Sequence, residues 1–149
     1  MIAENRKALH DYELLDELEV GIVLTGQEVK SAKQGGLRLR GSYVTIRKGA
    51  LWLIGAAIDP YKAAGPLPHY DQQRTRKLLA HEREVLKLLQ RLQGERLTLV
   101  PKKAYTRSGR IKIAISLART KRAFEKRETI RRREVERDVS RALRGRSRP

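Results

Sequence analysis

Apolar positions along this chain switch between two periods, and the switches mark its elements. Residues 20–24, VGIVL, are a short continuous apolar run and predict a buried strand. Thr25-Gly26-Gln27-Glu28 follows and matches the T-x-x-E capping box, in which hydroxyl and carboxylate each satisfy a free backbone N–H. A helix is predicted from Gly26 to Gln34, closed by Gly35-Gly36, since glycine adopts the left-handed cap without a steric penalty. Lys30 and Lys33 fall on its exposed face. Residues 43–58, YVTIRKGALWLIGAAI, predict a hairpin turning at Lys48-Gly49-Ala50. Residues 59–73 hold three prolines and a glycine and predict a surface loop.

From 74 to 93 the period becomes helical. Leu78, Leu79, Val85, Leu86, Leu88, Leu89 and Leu92 form a stripe, and Gly94 closes it. Arg74, Arg76 and Lys77 gather at its start, where a helix dipole disfavours cations, so their clustering points to another use. Residues 95–118 predict a second hairpin around Arg107-Ser108-Gly109. Leu97 and Leu99 alternate with Thr98, and Ile111, Ile113 and Ile115 alternate with Lys112, Ala114 and Ser116, giving one buried and one basic face. The fold class read from these elements is α+β, mainly β: an OB-like antiparallel β-barrel with flanking helices over residues 1–119.

Residues 120–149 are a different material. Phe124, Ile130, Val135, Val139, Ala142 and Leu143 are the apolar residues from 124 onward, a stripe too thin to offset ordering entropy. Arg133, Arg137 and Arg141 form one basic row at helical spacing. A basic C-terminal tail is predicted, disordered when free and helical once phosphates neutralise that row. An interfacial membrane helix would need a broader apolar face.

Charge sharpens the picture. The 149 residues carry 34 Lys and Arg against 17 Asp and Glu, a net +17, which calls for an anionic partner. Residues 10–29 go against the trend, with six acids and no Lys or Arg, whereas 119–149 hold 13 basic and 5 acidic residues. Cysteine is absent, which excludes disulfides and fits an intracellular compartment. No apolar run approaches the roughly 20 residues of a membrane span, and the N-terminus lacks a secretory apolar region. A cytoplasmic protein is expected.

Catalytic patterns are missing. His10, His69 and His81 are scattered, and His81-Glu82-Arg83-Glu84 lacks the second histidine of H-E-x-x-H. No phosphate-binding glycine loop or nucleophile elbow occurs, and no cofactor is expected. The acids at 11–19 are the one place where a metal-dependent nuclease could find ligands. RNA binding fits better. Asn5, Arg6 and Lys7, with His10 and Tyr12 close behind, supply a base or phosphate reader, two phosphate-neutralising cations and two rings able to stack.

At these residues the chain resembles the SsrA-binding protein (small protein B, SmpB) family of bacterial trans-translation. The resemblance runs nearly end to end, through ENRKALHDY (4–12), EVGIVLTGQEVKSAKQG (19–35), GSYVTI (41–46), RTRKLLAH (74–81), LTLVPKKAY (97–105) and GRIKIAISLARTKRAFEKRETI (109–130). It implies a non-enzymatic, monomeric RNA-binding protein that holds the tRNA-like domain of transfer-messenger RNA and promotes its alanylation. It further implies delivery of that RNA to stalled ribosomes. Alanyl-tRNA synthetase and elongation factor Tu are then partners only through the RNA. Asn5, Glu19 and Leu79 match the family's RNA-contacting residues, although the helix stripe by itself reads Leu79 as core. Lys121, Arg122, Phe124, Glu125, Lys126, Arg127, Arg131, Arg132, Arg133 and Arg137 match the tail that enters the decoding centre and the empty message channel along 16S rRNA. Glu125 stands where the family usually has Asp, Phe124 where Tyr or His is usual, and Thr120 where Gly is common. A ribosomal or general RNA-binding OB-fold protein is the alternative.

Overall fold

A computed structural model describes residues 1–121, together with 133–135 and 137. Its elements are β1 (Ala3–Glu4), α1 (Arg6–Asp11), β2 (Tyr12–Ile22), α2 (Gly26–Lys33), β3 (Leu37–Arg38), β4 (Tyr43–Arg47), β5 (Ala50–Ile54), β6 (Ala57–Ile58), β7 (Arg76–Leu79), α3 (Glu82–Gly94), β8 (Thr98–Arg107) and β9 (Arg110–Thr120).

The pairings run β4–β5–β7–β2–β9–β8, and β8 returns to β4 through Val44 and Leu99, so these six antiparallel strands form a closed ring. β1 adds to β8, and β3 pairs β6 apart from the ring. Alternation explains the core. Val20, Leu51, Leu53, Leu78, Leu99, Ile113, Ile115 and Leu117 are all buried in one interior cluster, to which α3 contributes Val85 and Leu88.

Both predicted hairpins form. Their turns place Lys48-Gly49 and Ser108-Gly109 at positive φ, the tight geometry that matches strand twist. The capping box also forms: Glu28 N–H donates to the Thr25 hydroxyl at 3.2 Å and Thr25 N–H to the Glu28 carboxylate at 3.0 Å. The apolar run at 20–24 belongs to a longer strand than predicted, β2, whose register with β9 shifts at a bulge between Leu14 and Glu17. The outer face of β9 is less open than alternation suggested. Ala114, Ser116 and Ala118 are buried, and α1 sets Ala8 against Val100 and Ala118.

The helix predicted over 74–93 divides. Residues 76–79 are a strand with Arg76 and Leu78 inside and Lys77 and Leu79 outside, and the helix starts only at Glu82. The reason lies inside the ring. Arg76 is fully buried and forms an ion pair with buried Glu28, with Nη2 at 2.6 Å and Nε at 2.8 Å from Oε2. Its guanidinium also donates to the carbonyls of Ala56, Gln72 and Arg74 at 2.9–3.0 Å. Arg74 grips the other Glu28 oxygen from the surface, and the Tyr70 hydroxyl donates to the Ile58 carbonyl at 2.9 Å. Arg74 and Arg76 are thus held by this cluster, and neither stands at a helix start.

Burial raises the Glu28 carboxyl, but the Thr25 N–H and the two guanidiniums outweigh it and hold the group below its ordinary value. A depressed carboxylate stabilises the fold above its unfolded pKa of about 4.3, and that contribution is lost as pH falls through the lower folded value. Urea unfolding at pH 7 should therefore show Glu28→Ala destabilised by about 3–5 kcal/mol, because a buried guanidinium loses its partner. The gap from the parent chain should narrow in acid; a gap independent of pH would show that Glu28 is not ionised in the fold.

Candidate nucleic-acid interface

The residues singled out in sequence fall into two neighbourhoods on the outside of the ring. The first is α1. Asn5 caps it, accepting from Ala8 N–H at 3.2 Å and donating its amide to the Pro101 carbonyl at 2.8 Å. At 2% exposure the Asn5 side chain faces the fold, so the amide expected to read RNA instead fastens α1 to β8. Arg6 and Lys7 then lie exposed on the helix. His10 pairs with Asp11 at 3.0 Å. Tyr12 packs beside Ala8 and Val100. The open edges of Lys7 and Tyr12 reach a groove of about 390 Å³ that Tyr43 also lines.

The second neighbourhood centres on Glu19, which is outward on β2 and paired across to Ala114. The Tyr105 hydroxyl donates to Glu19 Oε2, and Arg107 Nη1 lies 3.2 and 3.1 Å from its two oxygens. The Tyr105 bond lowers the Glu19 carboxyl against the opposing effect of burial, with Arg107 and Lys112 assisting. Tyr105 moves the other way, pushed up to about 12 by burial and by the carboxylate beside it. Lys103 sits over the Tyr105 ring at 5.7 Å. Lys33 donates to the Gly109 carbonyl at 3.3 Å, so the end of α2 meets this turn. Lys30 lies 5.5 Å from the Tyr61 ring.

Gly21 joins Glu19 to Leu79. Leu79 is its register partner on β7 and is 52% exposed. A Cβ on Gly21 would lie 3.3 Å from the Leu79 Cβ, so glycine lets this leucine lie close over β2. The helix-stripe reading of Leu79 as core is therefore corrected, because a strand's period of two turns it outward. Lys77, two residues before it, is exposed on the same face.

Structure thus gathers Glu19, Lys33, Lys77 and Leu79 on one basic outer face, leaves Arg6, Lys7, His10 and Tyr12 at the α1 end, and removes Arg76 to the interior. Lys103, Tyr105 and Arg107 were not singled out in sequence. The alternation of Lys103, Tyr105 and Arg107 along β8 was the signal that could have found them. Lys121 bonds back through its N–H to Asp11 and its ammonium to Leu9, at 3.1 and 3.4 Å. Arg133 and Arg137 are helical and exposed. Arg122, Phe124, Glu125, Lys126, Arg127, Arg131 and Arg132 lie outside the described residues, as does most of the predicted tail. Among the described residues no group of three His, Asp or Glu could hold a metal, and no helix is long and apolar enough to cross a membrane.

The SmpB protein family model matches residues 2–145. The chain belongs to the SmpB family. The SsrA-binding protein of Gloeothece citriformis is 46% identical over 143 residues, covering 96% of this chain and 92% of that one. That of Roseiflexus castenholzii is 44% identical over 148 residues, covering 99% and 94%. Among solved structures, a chain described as "tmRNA-SmpB: a journey to the center of the bacterial ribosome" aligns with a TM-score of 0.66 at 43% identity, over 80% of this chain and 84% of that one.

The Glu19–Tyr105 bond has a spectroscopic consequence. Ultraviolet titration should include a tyrosine that ionises near 12 and is lost in Tyr105→Phe; Tyr70, also raised by burial and by Glu28, remains in that variant. Because the folded pKa of Tyr105 is raised, its stabilising effect is complete below the unfolded value of about 10 and is lost as pH climbs toward 12. In Glu19→Gln the transition should move down part of the way, since burial remains. An unmoved transition would mean that the pair does not form in solution.

Proposed function

We propose that this chain binds the tRNA-like domain of transfer-messenger RNA and acts as a non-enzymatic cofactor of trans-translation. Membership of the SmpB family supports this reading, as do relatives named for binding SsrA. The observation that carries it is the outer face on which exposed Leu79 and ionised Glu19 stand together amid Lys33, Lys77, Arg107 and Lys112. Cations supply sequence-independent attraction to phosphate. A carboxylate there accepts from 2′-hydroxyls and base amino groups, and a leucine covers an apolar base or sugar edge. Asn5 acts through α1, holding Arg6 and Lys7 at the rim.

In this reading the ring corresponds to an OB-like body working in the cytoplasm as a monomer. It promotes alanylation of its RNA and travels with it, meeting alanyl-tRNA synthetase and elongation factor Tu through that RNA. The tail beyond Lys121, after β9 has run through Thr120, enters the decoding centre and the empty message channel of a stalled ribosome, contacting 16S rRNA.

The test is a titration of the full chain against the tRNA-like domain and bulk tRNA from 50 to 200 mM salt. Selective binding should persist at the higher salt, whereas binding through six to ten phosphates alone loses about 10³–10⁵ over that range. Glu19→Ala and Leu79→Ala should each weaken binding of the tRNA-like domain by roughly 5- to 10-fold, with little effect on bulk tRNA. Truncation after Lys121 should keep most of the selective binding and abolish tagging on stalled ribosomes. Equal affinity for both RNAs would overturn the proposal in favour of a general RNA binder.

A further inference from the structure

We propose that the outer face of β4–β5–β7, centred on Trp52, is a second RNA site: a stacking platform for unpaired nucleotides. It shares Lys77 with the face proposed for the tRNA-like domain, but it goes beyond that reading and does not depend on it. Trp52 occupies the middle of this face. Thr45 flanks it on β4 and Lys77 on β7, so the three form one cross-strand row. All three are at least partly exposed. Tyr43 is 47% exposed and sits diagonally across the β4–β5 pair from Trp52. Diagonal neighbours are about 7–8 Å apart, within reach of each other for large rings, so two successive splayed bases could each find a ring.

Helix α1 lies against β2 and β8 and α2 against β3 and β6, whereas α3 meets one end of this face, where it lines a cavity with Lys48, Lys77 and Leu79. The strands themselves carry charge of one sign, while Glu82 of α3 lines the cavity beside Lys48 and Lys77. Residues 43–54 and 76–79 contain no Asp or Glu. Arg47, Lys48 and Lys77 form no salt bridge among the described residues. A partly bare tryptophan between unpaired cations on acid-free strands has the chemistry of single-strand binding: a backbone-neutralising surface with ring faces that accept any base. An acidic peptide would satisfy the cations but would leave the two ring faces without stacking partners. Beyond Tyr43 the groove lined by Lys7 and Tyr12 continues the track toward α1.

Trp52 is the one tryptophan of the chain, so its emission reports this face directly. The full chain should be titrated at about 200 mM salt with a labelled single-stranded oligoadenylate and with a blunt RNA duplex of equal charge. Emission is read for Trp52 and anisotropy for total binding. Saturable quenching by the single strand, and much less by the duplex, is expected. Trp52→Phe should bind within about threefold of the parent chain, whereas Trp52→Ala should lose about 5- to 150-fold, the range of one base stack. Lys77→Ala should shift the quenching curve to higher RNA without changing its endpoint. Anisotropy that saturates while Trp52 emission stays constant would place the RNA elsewhere, on the basic tail, and would overturn the proposal. So would Trp52→Ala binding like the parent chain. Failure to select the tRNA-like domain while Trp52 is still quenched would sink the trans-translation reading and leave the platform standing.

Discussion

Everything on the outside of this ring depends on one ion pair inside it. Glu28 and Arg76 are both fully buried, and charges so placed persist only when paired and hydrogen-bonded. Arg76 meets that demand by gathering Glu28 from α2, the Ala56 carbonyl next to β6, and the Gln72 and Arg74 carbonyls from the loop leading into β7. Glu28 in turn caps the first turn of α2 through Thr25. One guanidinium therefore sets where α2 begins, where the proline-rich loop returns and in which phase β7 enters the sheet. Phase decides which side chains the outer face presents. With Arg76 inside, Leu78 must also point inward and Lys77 and Leu79 outward, where they meet Gly21 and Trp52.

Local chemistry was legible in the sequence wherever a few neighbouring residues decide the outcome. The Thr25–Glu28 box, the Gly35 cap and the Lys48-Gly49 and Ser108-Gly109 turns each use contacts within four residues. Residues 74–81 were not legible for the opposite reason. Adjacent leucines at 78 and 79 fit a helix stripe as well as a strand, and what separates the two is a partner for Arg76 that lies 48 residues earlier. The same limit applies to charge. Composition counts Arg76 as one more cation able to meet phosphate, and only the packed fold reveals that its charge is already neutralised. Asn5 illustrates the converse: its position was marked, but its amide turns toward Pro101 and works by holding a helix that carries other cations.

The resemblance supplied what periodicity could not, because it marked Leu79 and Glu19 without reference to secondary structure. Geometry then gives those two residues a physical reason to be marked. They flank Gly21, the place on β2 where the absence of a Cβ lets Leu79 cross over the neighbouring strand.

A chain of charge +17 has no difficulty attracting RNA; its difficulty is refusing most of it. Attraction to phosphate is nearly the same for every RNA, so more lysine raises affinity for all of them together. On the proposed interface, an acid kept ionised in the middle of the basic face would work differently. It would repel a phosphate that falls at that spot and accept from a hydroxyl or amino group that falls there instead, and discrimination would grow from the difference between those two outcomes. The arrangement works only if Glu19 is held still, since a mobile carboxylate would swing out of a phosphate's way. Tyr105 and Arg107 provide that restraint from the neighbouring hairpin, which is why the useful part of this surface is the bonded triplet rather than the acid alone.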